Sequence, residues 1–483
     1  MPSMRTRHFL YNLCGTGLPL LVALVALPII SREAGAARLG FMGLAWTVIG
    51  YLGLLDLGLS RVVVRRVATA QGSLELCHER QVVVRIASLL LAVCLPVALL
   101  LAVFLPMNWL LGANPAPDLQ REAQLAWWIM MATVPFSVLA GVLAGVLDGR
   151  QWFGLSNTFK TAMGTWNFLG PVLLALWGLH GLPQMVAAVA LGRILSTVAN
   201  LLAVHCALPR LPRPVSDAQW RSPPMLPILL EGGWMTVSNV VGPIMGRLDR
   251  FIVASVLTLG AAAYYFVPQE LVIRVAFVPA ALSMSLFPAL ARVHGNDLEA
   301  HRALAARGLR ATCAISLPLA LGMAAFSSLG LHVWMGSDFA VQSAGVLAIM
   351  AVGFFGNSAA QLPFTVLQSA GRADLIARVH VLELPVFVAA LWWLTGRYGI
   401  AGAAAAGTLR SVIDCAVLLA LAHRIAPVSG LRDIGIGLVL TAGAAASLLW
   451  QPDPGHSFLG FWLLTIGLLI SVYWLWDLRQ VRS

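Results

Sequence analysis

Apolar runs of about 18 to 25 residues, separated by short polar stretches, recur from residue 9 to residue 476. Each is long enough to cross a hydrocarbon core of about 30 Å as a helix. The pattern predicts fourteen spans, near 9–30, 41–64, 82–106, 125–147, 155–178, 182–208, 227–257, 262–290, 309–333, 340–369, 374–396, 401–423, 433–450 and 458–476. The longest polar stretches, 66–81, 107–124, 209–226 and 291–310, are too short to fold independently. The expectation is an all-α polytopic membrane protein whose function resides in its helices.

The arginines orient the spans. With the N-terminus inside, 21 arginines fall in cytoplasmic segments, against Arg32, Arg38, Arg121 and Arg397 on the other side. This is the bias the positive-inside rule requires, and it places both termini in the cytoplasm. The first apolar run follows "MPSMRTRH" as a signal peptide's would, but it exceeds the length of an h-region and reads as span 1.

Composition supports the membrane class. Of 483 residues, 59% are hydrophobic and 11% charged, against about 25% charged in soluble domains. The net charge of +11 raises nucleic acid as a partner, but the arginines are spread between spans and form no patch. Cys14, Cys77, Cys94, Cys206, Cys313 and Cys415 show no CxxC pairing and read as small core residues, with neither disulfide nor metal site indicated.

An internal repeat is visible at an offset of roughly 225 residues. "EAGAARLGFMGL" (33–44) aligns with "TLGAAAYYFVPQ" (258–269), "WLLGANPA" (109–116) with "VWMGSDFA" (333–340), and "VLDGRQ" (146–151) with "VLQSAGRA" (366–373). A duplicated six-span unit gives residues 1–208 as a first lobe and 227–424 as a second. Residues 209–226 are then a cytoplasmic linker, and 425–483 hold two appended spans. Parallel repeats of this kind build transporters that rock two lobes about a central cavity.

Within the repeat, "GRLDR" puts Arg247, Asp249 and Arg250 inside span 7. A mid-bilayer charge costs about 2.5 to 3.5 kcal/mol on insertion scales and persists where it faces protein or water. Arg247 and Arg250 share a face at i, i+3, and Asp249 points toward a neighbouring helix; an interfacial turn at 247–250 is the competing reading. Glu270 and Arg274 follow at i, i+4 in span 8. Arg193 and the single lysine, Lys160, add intramembrane cations, with interfacial snorkelling equally open to Lys160. Arg410 and Asp414 at i, i+4 read as a self-satisfied pair, and Glu383 has no assigned role.

Counting Lys160, Arg193, Arg247, Arg250 and Arg274 against Asp249 and Glu270, the expected cavity is net cationic and suited to a phosphate-bearing guest. Trp166, Asn167, Asn239 and Gln269 could contact sugars or serve helix packing. The ladder Gly141, Gly145 and Gly149 reads as close helix packing.

The ordered landmarks "LPIISREAGAARLGFMGL", "YLGLLDLGLS", "VLDGRQWF", "GRLDRFIVASVLTLGAAAYYFVPQEL", "LHVWMGSDFA" and "LQSAGRADLIARVHVLELPVFVAALWWLTGRYGIAGAAAAGTLR" cover nearly the whole chain. They resemble the bacterial oligosaccharide flippases, the O-antigen translocase-like proteins of the multidrug/oligosaccharidyl-lipid/polysaccharide exporter superfamily. That resemblance implies alternating access and no catalysis. It also implies an undecaprenyl-pyrophosphate-linked oligosaccharide moved from the cytoplasmic to the periplasmic leaflet of the inner membrane, for O-antigen or exopolysaccharide synthesis. The partners implied are that glycolipid, the bilayer, and polysaccharide polymerase or export machinery. No cofactor is implied beyond Na+, H+ or the membrane potential as the driving force, with Asp249 or Glu270 as coupling acids.

Two other classes compete. Cation-coupled drug antiporters and lipid II flippases of the same superfamily share the architecture. Antiporters rely on buried carboxylates, for which span 1 offers only Asn12 and Thr16 and span 2 only Asp56 near its end. A polytopic glycosyltransferase or polymerase would need catalytic groups in an extracytoplasmic loop, and the longest such loop, 107–124, offers only Asp118, Arg121 and Glu122.

Overall fold

The apolar runs form helices wherever the chain is described. The structure, a computed structural model, describes residues 4–52, 59–70, 72–104, 111, 116–208, 245–293, 297–425, 430–450 and 458–480. In chain order the helices are α1 (Met4–Ala34), α2 (Ala36–Leu52), α3 (Leu59–Thr69), α4 (Gly72–Phe104), α5 (Pro117–Gly149), α6 (Phe153–Leu176), α7 (Leu182–Ala207) and α8 (245–256). They continue as α9 (Leu259–Val275), α10 (Phe277–Val293), α11 (Leu298–Ala325), α12 (Ser327–Met335), α13 (Ser337–Ser369), α14 (Ala373–Ile425), α15 (Leu431–Trp450) and α16 (Phe458–Gln480). Among the described residues, 10 helical stretches are long and apolar enough to cross a membrane, so this is a multi-pass membrane protein.

Within span 2 the described residues form α2 and α3, on either side of residues 53–58, which lie outside the described residues together with most of span 7. Two other predicted spans are interrupted. Span 8 breaks at Ala276, because Pro279 has no N–H to offer the Val275 carbonyl one turn earlier. Span 9 divides at Phe326 into α11 and α12. Spans 11 and 12 are the two arms of α14, two helices that meet at Gly399 as the sequence predicts, where φ of 61° and ψ of −143° suit a residue without Cβ.

The chain divides into two compact units, Met1–Leu248 with Thr258–Gly260, and Asp249–Leu257 with Ala261–Ser483. In the first, α5 packs against α7, α3 and α4, and α1 against α6. The glycine ladder serves close approach, as its spacing predicts. A Cβ on Gly145 would stand 2.8 Å from the Ser60 carbonyl oxygen, and one on Gly149 2.9 Å from that of Val64. Arg38 of α2 and Glu122 of α5 pair at 2.8 Å, and Glu122 also accepts from the Leu182 N–H at the start of α7.

In the second unit, α13 packs along α14, and α11 packs against α13 and α16. Leu317, Leu321, Phe355, Leu362 and Leu418 lie in its buried core. The two C-terminal helices belong to this unit: α15 rests on α13 and α11, and Arg310 of α11 joins Asp433 of α15 (3.2 Å) and Asp477 of α16.

Two turns, one in each unit, share a geometry. Helices α5 and α13 both have 33 residues. Beyond the first, the Trp152 N–H reaches the Leu147 carbonyl and Gln151 N–H that of Asp148; beyond the second, Arg372 reaches Leu367 and Gly371 reaches Gln368. Gln151 and Gly371 both adopt positive φ, 61° and 72°.

Candidate functional site

The charges of "GRLDR" lie on helix α8, which settles 247–250 as helical and not as a turn. Asp249 and Arg250 project onto α9, whose face is set by two i, i+4 pairs, Tyr265 with Gln269 and Phe266 with Glu270. Asp249 Oδ2 accepts from Tyr265 OH (2.6 Å) and Gln269 Nε2 (2.6 Å), and its Oδ1 from the Arg250 backbone N–H (2.9 Å). Arg250 Nε donates to Gln269 Oε1 (2.5 Å) and Nη2 to Glu270 Oε1 (2.8 Å), and its guanidinium lies 4.7 Å from the Phe266 ring centre. Arg274 Nη2 then donates to the other carboxylate oxygen of Glu270 at 3.1 Å.

Glu270 therefore bridges two guanidinium groups, one oxygen to each. Arg250 is 2% exposed and Asp249 and Gln269 are also buried, whereas Glu270 and Arg274 are partly open. Hydrogen bonds to charged groups contribute about 1.5 to 3 kcal/mol each, enough for this web to offset the burial of Arg250. The helix itself is held in place beside a proline. Pro268 leaves the Tyr264 carbonyl without its helical partner, and the buried Ser343 hydroxyl of α13 donates to it at 2.8 Å.

Of the residues singled out from the sequence, Asp249, Arg250, Gln269, Glu270 and Arg274 come together here, in the second unit. At their formal charges they sum to zero, so this cluster is not the cationic one expected; the two carboxylates compensate the two arginines. Asp249 does partner the neighbouring helix, as its position on α8 predicts. Arg247 groups with the first unit, one guanidinium nitrogen 3.4 Å from where a Cβ on Gly50 would stand.

The other residues lie in the first unit and serve nearer neighbours. Lys160 pairs with Asp148 at 2.9 Å beside the α5–α6 turn. Trp166 donates Nε1–H to the Ala188 carbonyl (2.8 Å) and covers Gly192, where a Cβ would meet its ring at 2.1 Å. Trp46 donates to the Asn167 carbonyl at 3.2 Å, so the Asn167 backbone ties α6 to α2. Arg193 and Arg247 have no hydrogen bond or ion pair from the guanidinium to any described residue. Asn239 lies outside the described residues.

Sequence reasoning missed Tyr265, Phe266 and Asp148. The first two were legible as the i, i+4 partners of Gln269 and Glu270, whereas Asp148 required knowing how the α5–α6 turn folds back. The expected Arg410–Asp414 pair is replaced: Asp414 faces His380 across α14, Nε2 to Oδ1 3.6 Å, and Arg410 stacks 5.3 Å from the centre of Phe387. The intervening loop geometry at Gly399 brings the second arm back beside the first, which i, i+4 counting cannot anticipate.

Comparison with known proteins gives a consistent picture. A Shigella flexneri protein that carries the name of an O-antigen transporter is 28% identical over 415 residues, 85% of this chain and 96% of its own. Among solved structures, the lipid II flippase MurJ in an inward closed conformation superposes with a TM-score of 0.74 at 14% identity, covering 98% of this chain and 100% of that one. An inward-facing multidrug resistance MATE transporter of the MOP superfamily gives 0.64 at 12% identity, over 84% and 94%. These two establish the fold, that of membrane transporters and flippases. The family model for polysaccharide biosynthesis proteins matches residues 6–294, more than half of the sequence, and the chain belongs to that family.

Proposed function

We propose that this protein is a flippase that carries an undecaprenyl-pyrophosphate-linked oligosaccharide from the cytoplasmic to the periplasmic leaflet of the bacterial inner membrane. The observation that carries the reading is membership of the polysaccharide biosynthesis family, joined to a near full-length relative named for O-antigen transport. The architecture proposed with it is two six-span lobes from a duplicated unit, with two appended spans and both termini in the cytoplasm. The matching turns after α5 and α13 support the duplication.

Alternating access would present the site to each leaflet in turn. In this mechanism the pyrophosphate enters where Glu270 now bridges Arg250 and Arg274, because phosphate oxygens accept from guanidinium forks in the same manner as a carboxylate. The more open Arg274 exchanges its acceptor first, and the buried Arg250 stays anchored on Gln269. Arg193 and Arg247 of the first unit are further head-group candidates, and coupling to H+, Na+ or the membrane potential drives the cycle. Asn239, Trp166, Asn167 and Lys160 remain sugar- or head-group-facing candidates.

The test is the sidedness of lipid-linked oligosaccharide in membranes from cells lacking the protein, read by lectin access with total glycolipid quantified in parallel. Intact glycolipid that accumulates facing the cytoplasm is the expected result. Glycolipid that is absent, truncated or already outside overturns the reading, and points instead to an enzyme, a lipid II carrier or a drug antiporter.

A further inference from the structure

The bend at Gly399 turns the two arms of α14 toward one another and leaves a cavity of ≈ 340 Å³ between them. Its walls are apolar, Val386, Phe387 and Leu409 among them, except for Glu383 on the first arm and Arg410 on the second. Both carboxylate oxygens of Glu383 are buried without a hydrogen-bond partner, and so is Nε of Arg410. Two further charged groups face Glu383: His380, one turn earlier on the same arm, and Asp414, which pairs with His380 across the cavity edge. Helix α13, packed along α14, carries a single charged residue, Asp338, and that residue is engaged by Tyr264.

An ionised carboxylate buried among apolar side chains without a partner is far costlier than the neutral acid, so an acid in such a place is suited to gaining and losing a proton. Arg410 lines the same cavity from the second arm, its guanidinium 5.3 Å from the centre of the Phe387 ring.

We propose that Glu383 is a proton-binding site in the α14 cavity, reached through His380. The reaction is proton transfer only: a proton from water adds to the carboxylate and later returns to water, and no other bond changes. This identifies the coupling ion of the proposed flippase as H+ and rests on that reading for its consequence. The proton site itself stands on the geometry of α14.

Dicyclohexylcarbodiimide tests it directly, because the apolar reagent attacks protonated carboxyls in apolar surroundings and leaves a stable N-acylurea. The purified full-length protein in liposomes is labelled across a pH series, and the adduct is located by peptide mass spectrometry. The expected result is an adduct on Glu383 that falls several-fold from acid to alkaline pH, is lost in Glu383→Gln, and is indifferent to sodium. An adduct that is absent, does not change with pH, or is blocked by sodium overturns the proposal.

Labelling needs no transport. An adduct on Glu383 together with normal glycolipid sidedness in cells lacking the protein would therefore overturn the flippase reading alone.

Discussion

At the scale of single residues, the decisive feature is how Arg250 is held. Its fork is divided between Gln269 and Glu270, with Phe266 against its face. An ammonium is a point charge on a flexible stem and cannot satisfy both acceptors in that geometry. Arg250→Ala is therefore expected to abolish surface polysaccharide while membrane protein level stays normal, and Arg250→Lys to recover only a minor part, both read by immunoblot of polymer and protein. Undiminished polymer in Arg250→Ala would remove this residue from the pathway. The two positive-φ turns make a second case. Gly371 adopts φ of 72°, so Gly371→Ala should cost about 1 to 2 kcal/mol, whereas Gln151→Gly at φ of 61° relieves strain of similar size and should raise the melting temperature in detergent. Arg250 and its carboxylates were legible from charge placement alone. Their pairing was not, because i, i+4 spacing along one helix does not say which side chains meet across two.

At the scale of elements, the sequence predicted spans by length and hydropathy, and the structure shows where backbone chemistry subdivides them. Pro279 ends α9, Gly399 folds α14 on itself, and Ser343 repairs the carbonyl that Pro268 leaves open. The interruption at Gly399 falls between predicted spans 11 and 12, whereas the break before Pro279 escaped the hydropathy pattern because it depends on a missing donor rather than on apolar content. The two C-terminal helices are held on the second unit by apolar packing and by Arg310, which reaches carboxylates on both. Arg310→Ala leaves Asp433 and Asp477 without their shared cation. The α15 end should then loosen, and limited trypsin digestion in detergent should cut after the exposed Arg432 faster than in the parent protein. An unchanged digestion rate would mean that apolar packing alone holds these helices.

At the scale of the whole molecule, the arginine distribution predicts a topology, and two ion pairs each join residues that it assigns to one side. Arg38 and Glu122, both assigned to the extracytoplasmic side, pair with one another; Arg66 and Glu79, both assigned to the cytoplasmic side, do the same at 2.7 Å. Reporter fusions that score cytoplasmic after Ala70 and Arg372, and periplasmic after Gly181, are the expected pattern; a reversal at any one would shift the span count. The sequence by itself determined the class of the molecule, its all-helical build and where its apolar runs lie. These follow from composition and period, which act locally and are the same wherever the segment packs. Only the tertiary structure decided that Glu270 bridges Arg250 and Arg274, that Lys160 answers Asp148, and that Glu383 shares a cavity with Arg410. Each of those depends on the register and bend that bring distant segments side by side, and in a low-dielectric interior it is the partner across that contact that fixes what a buried charge can do.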